Sequence, residues 1–195
     1  MNVVVYTPVP TRGVDDKTRE YYKKHKITKV NDHLVIKRMN LYRERKAFKQ
    51  RAIRYTIFSL ECVIKGIFTP ADAIFLSSGP PTQTLAIGLL RKLTKKRIIY
   101  NLQDMFPDSL INAGMAKEDS KAVKIGRWME GDSYKNAHAI ITVSEDMMEN
   151  LLHKGVDKKK VFMVRNWIDT DEFVPVGRKE NVLFDKLHLD RSKFY

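Results

Sequence analysis

The sequence has little cysteine, no long uninterrupted apolar run and no glycine-rich phosphate loop, and each absence excludes a class of protein. Its single cysteine, Cys62, excludes an internal disulfide framework and a cysteine-rich zinc site, and its apolar neighbours predict a core position in a reducing compartment. The longest uncharged stretch, residues 73–90, has Ser-Ser-Gly-Pro-Pro-Thr-Gln-Thr at its centre, which is incompatible with a transmembrane helix. Neither Gly-x-Gly-x-x-Gly nor a Walker-type loop occurs, which argues against a dinucleotide cofactor and against a phosphate-loop nucleotidase.

Acidic residues are also scarce relative to basic ones. The chain has 23 Asp and Glu against 36 Lys and Arg, which gives a formal net charge of +13 and a pI near 9.7. This excess favours an anionic partner, whether nucleic acid, an anionic membrane surface or a phosphorylated substrate. Aromatic residues interleave with the densest group of cations, which suits an anionic membrane interface or single-stranded nucleic acid, although a merely solvated helix face explains it equally well. That group consists of Arg43, Arg45, Lys46, Lys49, Arg51 and Arg54.

Hydrophobic periodicity predicts an α/β fold. Residues 2–7 are rich in β-branched side chains and end at Pro8, which predicts a strand and not a secretory signal. The polar segment 8–29 is predicted to be a loop or a weakly ordered excursion. A strand at 33–39 and a long helix at 43–68 follow. Further strands are predicted at 73–76, 97–101, 139–143 and 161–164, alternating with helices at 82–93, 120–134 and 145–154. This alternation predicts right-handed βαβ crossovers in a Rossmann-like parallel sheet with helices on both faces.

Three polar segments each follow a predicted strand at the point where the strand ends. They are Ser-Ser-Gly-Pro-Pro at 77–81, Gln-Asp-Met-Phe-Pro-Asp at 103–108 and Asn-Trp-Ile-Asp at 166–169. In open α/β sheets, ligands bind in the crevice outside the carboxyl ends of the strands. The three segments therefore predict one shared binding site.

The residues of these segments have alternative interpretations. The prolines of 77–81 lead into a helix whose first amides favour an anionic oxygen, and simple helix capping is the alternative. A carboxylate at Asp104 can orient substrate hydroxyls or act as a general base, whereas Asp108 is predicted to cap the next helix. The segment 166–169 is predicted to be a structural turn at an interdomain hinge, with Trp167 packed beneath it.

Taken together, the segments resemble the amino-terminal half of a GT-B retaining glycosyltransferase of family four, of the kind that builds capsular polysaccharides and exopolysaccharides. The resemblance covers most of the chain and depends on the order of the motifs more than on any one of them. The matching residues are Ser77 to Pro81, Tyr100 to Ser109, Glu130, Tyr134, Ala137, Ser144, Gly155-Val156, Lys160-Val161, Asn166 to Asp169, Phe173 and Pro175. His138 departs from the family pattern, which often has an acidic residue at that place.

The resemblance implies a two-domain enzyme whose amino-terminal domain binds the acceptor and whose carboxyl-terminal domain binds a nucleotide sugar, with no metal and no cofactor bound by this chain. Residues 1–175 are then the Rossmann-like acceptor domain, without the family's first strand and glycine-rich loop, and residues 176–195 are the linker and the start of the donor domain. The acceptor is expected to be a saccharide, either free or polyprenyl-linked, at the cytoplasmic face of the membrane. We expect the protein to be peripheral there, to use the six cations above as its anionic-surface contacts, and to be inactive as an isolated fragment.

Residue by residue, the resemblance makes Asp104 the first candidate for a catalytic role, as an orienter of the acceptor or a support for developing charge. Substrate contacts are predicted for Ser78, Gly79, Pro80, Pro81, Gln103, Asn166 and Asp169. A different class stays open as the second choice, a basic α/β nucleic-acid-binding module without catalysis.

Overall fold

The computed structural model describes residues 1–11, 13–42 and 47–195, which form two compact units, Met1–Val164 and Arg165–Tyr195. The first unit contains a three-stranded sheet and a four-stranded sheet with their connecting helices. In chain order the elements are β1 (Val3–Pro8), α1 (Asp16–Lys24), β2 (Ile27–Asn31), β3 (Leu34–Met39), α2 (Phe48–Phe68), β4 (Ala73–Ser77), α3 (Gln83–Leu93), β5 (Arg97–Leu102), α4 (Asp108–Asn112), α5 (Lys121–Asn136), β6 (Ala139–Thr142), α6 (Glu145–His153), β7 (Val161–Met163) and α7 (Leu183–Lys186).

The three-stranded sheet has the order β1-β3-β2, with β1 parallel and β2 antiparallel to β3. The predicted loop at 8–29 was wrong, because this segment contains α1 and β2. Charged residues dominate α1, so apolar periodicity gives little sign of it. Two polar contacts stabilise it instead: the Asp15 carboxylate accepts a hydrogen bond from the Thr18 amide at 2.7 Å, and the buried Arg19 donates from Nη2 to the Leu41 carbonyl oxygen at 3.3 Å.

The four-stranded sheet is parallel throughout, and its strands lie in chain order, β4-β5-β6-β7. Helices α3, α5 and α6 connect successive strands. A parallel sheet flanked by helices confirms the predicted Rossmann-like α/β class. The predicted ends of α6 are also confirmed, because the Ser144 hydroxyl accepts a hydrogen bond from the Met147 amide and Gly155 adopts a φ of 81° just after the helix.

Side chains of this sheet alternate between a buried face and a more exposed one. Leu76, Ile98, Tyr100 and Ile140 are buried in the main core cluster together with residues of α3 and α5. On the other face, Phe75 is 58% exposed and Phe162 is 53% exposed, near the two edges of the sheet. Side chains alternate along a strand, so successive residues at the end of each strand point in turn to the buried face and to the more exposed face.

The carboxyl end of helix α2 contacts the ammonium group of Lys96. Nζ of Lys96 donates to three carbonyl oxygens at the carboxyl end of the helix, those of Gly66 at 2.6 Å, Ile67 at 3.0 Å and Thr69 at 2.6 Å. The last carbonyls of a helix have no partner within the helix and carry its partial negative charge, so a cation placed there both satisfies and neutralises them.

Replacing Lys96 by methionine is therefore expected to lower the free energy of unfolding by about 1–3 kcal/mol, because the charge-assisted hydrogen bonds are lost while the apolar stem is kept. Urea denaturation followed by circular dichroism measures the difference. Lys95→Met is the matched control, since Lys95 is the exposed neighbour with the same charge. Equal stability of the two variants would show that the contacts of Lys96 do not hold the end of α2.

His138 joins β5 to the start of β6. Its backbone amide donates to the Ile98 carbonyl oxygen, and its ring Nδ1 accepts from the Ile98 amide, both at 2.9 Å. Because Nδ1 can accept only when it is unprotonated, this arrangement requires a neutral ring. Desolvation and the nearby Arg91 lower the pKa of His138, which agrees with a structural role.

The second unit, Arg165–Tyr195, is organised around Arg191. The guanidinium of Arg191 donates to the carbonyl oxygens of Arg178, Lys179 and Asn181, and pairs with the Asp185 carboxylate at 2.8 Å. The short helix α7 lies within this unit. Trp167 is 88% exposed, so the prediction that it packs beneath its turn was wrong.

Candidate functional site

A cleft lies in the first unit where β4 and β5 end. The two strands are paired in register from Ala73 with Arg97 to Ser77 with Asn101, so the loops that follow them emerge side by side. The cleft is lined by Ser78, Gly79, Pro80, Pro81, Thr84, Tyr100, Leu102, Asp104, Phe106, Glu130 and Tyr134. Its enclosed volume of about 20 Å³ holds about one water molecule. A larger ligand would therefore lie across the mouth of the cleft.

Ser78 joins the two loops. Its hydroxyl oxygen accepts hydrogen bonds from the amides of Gln103 at 2.7 Å and Asp104 at 3.1 Å, and its own amide donates to the Asn101 carbonyl oxygen at 2.7 Å. The Gln103 side chain donates to Oδ1 of Asn101 at 2.9 Å. Ser78 and Gln103 thus fix the backbone at Asp104, which is a positioning role.

Asp104 places an exposed carboxylate at the cleft. Its Oδ2 accepts from the Ser109 hydroxyl at 3.4 Å. An exposed carboxylate held by a fixed backbone can accept hydrogen bonds from the hydroxyl groups of a ligand, or remove a proton from one of them. Of the residues that line the cleft, Asp104 is the one whose side chain is best placed to act on a ligand at the mouth.

The start of α3 does not present free amides to the cleft. The amides of Gln83 and Thr84 donate to the carbonyl oxygens of Pro80 at 2.9 Å and Pro81 at 3.2 Å. Thr82 makes no side-chain cap, because its hydroxyl donates to the Tyr55 carbonyl oxygen. These bonds argue against the predicted binding of an anionic oxygen at the start of this helix. The loop instead contributes to the cleft the apolar surface of two prolines and the open space above Gly79.

The floor of the cleft is a buried carboxylate, Glu130, which is only 4% exposed. Its Oε1 accepts from the Tyr134 hydroxyl at 2.9 Å and from Nζ of Lys154 at 2.6 Å, and its Oε2 lies 3.4 Å from Nη1 of Arg127. The carboxylate of Asp108 binds the same two cations, Lys154 at 2.6 Å and Arg127 through Nη1. The four groups form a closed network in which two positive and two negative charges cancel.

Two buried phenols, Tyr100 and Tyr134, line the cleft beside this network. Burial, reinforced by the Glu130 carboxylate, raises the pKa of both Tyr100 and Tyr134 above the ordinary value of a phenol. Both side chains therefore stay protonated at neutral pH, and Tyr134 remains a donor to Glu130. The cleft combines a charge-balanced floor with one exposed carboxylate at its mouth.

The structure brings together most of the predicted site residues. Those lining the cleft are Ser78, Gly79, Pro80, Pro81 and Asp104, and Gln103 supports them from the adjoining loop. Asn166 and Asp169 belong to the second unit, where the Asp169 carboxylate accepts from the amides of Asp171 and Glu172 and so forms a turn. The cleft itself is built from residues of the first unit.

Sequence reasoning missed the floor of the cleft. Asp108 was predicted to cap α4, which was wrong: it makes no cap and pairs with Arg127 and Lys154 instead. Glu130 and Tyr134 were noted as matching residues and not as site residues. Their spacing of four on a helix is the signal that could have revealed them, because such a pair shares one face.

The predicted basic surface is only partly described. Arg43, Arg45 and Lys46 lie outside the described residues. Lys49 and Arg51 are exposed on α2. Arg54 was predicted to contact an anionic surface, and this was wrong, because Arg54 is buried and its Nε donates to the Tyr42 carbonyl oxygen at 3.0 Å. Among the residues that the structure describes, no group of three or more His, Cys, Asp or Glu is placed to hold a metal ion.

Comparison with known proteins identifies relatives of this chain. The family model for Glycosyltransferase Family 4 matches residues 2–172. The chain is 26% identical over 109 residues to the "Probable glycosyltransferase WbjE" of Pseudomonas aeruginosa, covering 56% of this chain and 27% of that protein. It is 28% identical over 118 residues to the "Putative colanic acid biosynthesis glycosyl transferase WcaI" of Escherichia coli (strain K12), covering 58% of this chain and 29% of that protein. The matched stretch thus spans less than a third of each of these relatives.

Proposed function

The chain belongs to glycosyltransferase family 4, and from this premise we propose that it forms the acceptor-binding half of an enzyme that transfers a sugar in the synthesis of a capsular polysaccharide or exopolysaccharide. The family match over residues 2–172 supports the transferase class, and the name of the colanic acid relative supports polysaccharide synthesis. The donor is a nucleotide sugar, the transferred group a hexosyl unit, and the acceptor a saccharide, either free or polyprenyl-linked.

The proposed reaction breaks the bond between the anomeric carbon of the donor sugar and the oxygen of the nucleoside diphosphate, which leaves. A hydroxyl oxygen of the acceptor forms the new glycosidic bond, and the hydroxyl proton leaves on a carboxylate or on the departing phosphate. We propose that the anomeric configuration is retained, that a second domain of a GT-B enzyme binds the donor, and that no metal is required. The isolated 195-residue chain would then bind an acceptor without turnover.

The observation that carries this proposal is the cleft at the ends of β4 and β5. Pro80, Pro81 and Phe106 supply apolar surface for the faces of a sugar ring, and Asp104 supplies an acceptor for its hydroxyl groups. Such a combination of apolar lining and a few fixed polar groups is typical of small-molecule sites. Because the enclosed volume is small, the acceptor would occupy the mouth of the cleft, next to Asp104 and Gly79.

Gly79 allows a direct test. A Cβ atom built on Gly79 would meet nothing closer than the Ser77 carbonyl oxygen at 3.9 Å, so a side chain fits without disturbing the fold. Gly79→Leu is expected to weaken acceptor binding about tenfold or more by occupying the mouth of the cleft, while the unfolding temperature stays unchanged. Isothermal titration with a short prenyl diphosphate-linked monosaccharide measures the affinity.

Gly131→Leu is the matched control, since a Cβ at Gly131 on the exposed surface of α5 has nothing within 4 Å. It should bind the probe as the unmodified chain does. If Gly79→Leu binds the probe as tightly as Gly131→Leu, the acceptor does not occupy this cleft. If the unmodified chain binds no acceptor probe at all, the assignment of an acceptor-binding half is wrong.

A further inference from the structure

Helix α2 carries a continuous row of apolar side chains that face away from the rest of the fold. The row consists of Ile53, Ile57, Leu60, Ile64 and Phe68, and these side chains are between 38% and 79% exposed. Their spacing of three and four residues places them on one face of the helix, over a length of about 22 Å. We call this row the α2 stripe.

The fold does not use the α2 stripe because α2 packs through its other side. The Ser59 hydroxyl pairs with the Thr82 hydroxyl at 2.8 Å, and Cys62 accepts from Gln83 at 3.5 Å. A Cβ at Gly66 would lie 2.6 Å from a methyl group of Leu90, so α2 and α3 are in close contact there. A contiguous exposed apolar row on the opposite side indicates an interaction surface.

Charge along α2 indicates what that surface contacts. Within Phe48–Phe68 the basic residues are Lys49, Arg51, Arg54 and Lys65, and the one acidic residue is Glu61. Lys49 lies one turn before Ile53, on the same face as the stripe, and is exposed. The sequence just before α2 adds Arg43, Arg45 and Lys46. The stripe therefore begins in the most basic part of a chain whose net charge is +13.

A second copy of the chain is a poor occupant for this surface. A symmetric pairing of two α2 stripes would bring Lys49 and Lys65 of one copy close to the cations of the other, with only Glu61 on each helix to offset them. An anionic lipid surface satisfies both features at once, because acyl chains accept the apolar row and headgroups accept the cations.

We propose that the α2 stripe lies flat on an anionic lipid bilayer, with its apolar side chains below the headgroups and Lys49 among them. Within the part of the chain that the structure describes, no helix is long and apolar enough to cross a membrane. The contact that we propose is interfacial, and a leaflet that is rich in anionic lipids suits it. This proposal is independent of the function of the cleft.

Vesicle co-sedimentation tests the proposal. The intact chain should bind phosphatidylcholine vesicles that contain phosphatidylglycerol, and bind pure phosphatidylcholine vesicles several-fold more weakly. The double variant Leu60→Glu/Ile64→Glu should reduce binding to the anionic vesicles by at least about tenfold, because two charges replace side chains that enter the bilayer. Circular dichroism and the unfolding temperature should be unchanged, since both positions are exposed.

Ile125→Glu/Trp128→Glu is the matched control, because these two apolar residues are similarly exposed and lie on a different helix, α5. The control should bind anionic vesicles as the unmodified chain does. Equal loss in both double variants would overturn the proposal. It would also be overturned by a dimer in sedimentation velocity that only the stripe variant dissociates, or by tight binding of single-stranded RNA with no binding to vesicles.

Discussion

Asp104→Asn is expected to reduce turnover by about a hundredfold or more in the two-domain transferase that we propose above. The side chain of Asp104 is exposed at the cleft, and the backbone there is held by Ser78 and not by the carboxylate itself. Asparagine therefore keeps the loop and the shape of the site but removes the negative charge and the ability to take a proton. A positioned acid or base typically contributes about 10²–10⁴-fold to a rate.

The measurement is the initial rate of nucleotide release from the sugar donor at saturating acceptor, together with the unfolding temperature. We expect kcat to fall while the stability does not change. Asp119→Asn is the control, because Asp119 is an exposed carboxylate in the loop before α5 and does not line the cleft. A variant at Asp104 with near-normal kcat would remove this residue from the catalytic role and leave acceptor binding as the function of the cleft.

Glu130→Ala is expected to lower the free energy of unfolding by about 3–5 kcal/mol, the range found when one partner of a buried ion pair is removed. The substitution takes away the acceptor of the Tyr134 hydroxyl and leaves Lys154 and Arg127 with Asp108 as their remaining carboxylate. Glu130→Gln should cost less, because an amide oxygen can still accept from Tyr134, although the negative charge is lost.

Urea denaturation of the 195-residue chain measures both values. Glu149→Gln provides the control, since Glu149 is exposed on α6 and its change should stay within about 0.5 kcal/mol of zero. If Glu130→Ala unfolds at the same urea concentration as this control, the four-group network contributes nothing to stability. Equal effects of alanine and glutamine would show instead that the charge, and not the hydrogen bond to Tyr134, is what matters.

The parallel sheet could be predicted from sequence because its strands are short, continuously apolar and separated by helices with regular periodicity. The polar residues after β4 and β5 could be placed at one edge for the same reason. Helix α1 could not be predicted, since a charged helix held by a capping carboxylate and a buried arginine has no apolar period to detect. Polar contacts, one of them to a carbonyl group 22 residues away, and not hydrophobic periodicity, determine the structure of α1.

The charged groups beneath the cleft could not be predicted from the sequence for a different reason. Asp108, Arg127, Glu130 and Lys154 come from three separate helices or their ends, and only the folded chain shows that they meet. From the sequence each has an ordinary local interpretation, such as a cap or a solvated charge. The burial of Arg54 was similarly hidden, because its partner is a backbone carbonyl twelve residues away.

The cancellation of charge beneath the cleft separates this molecule into two regions with different responses to ionic strength. The excess positive charge lies elsewhere, so added salt shortens the range over which the chain attracts an anionic surface, from about 10 Å at 0.1 M to about 3 Å at 1 M. In the network under the cleft the opposite charges are in direct contact, and the carboxylates of Glu130 and Asp108 are mostly buried, so salt screens these pairs much less. Concentrated salt should therefore weaken the contact with an anionic bilayer that we propose, while leaving the shape of the cleft intact.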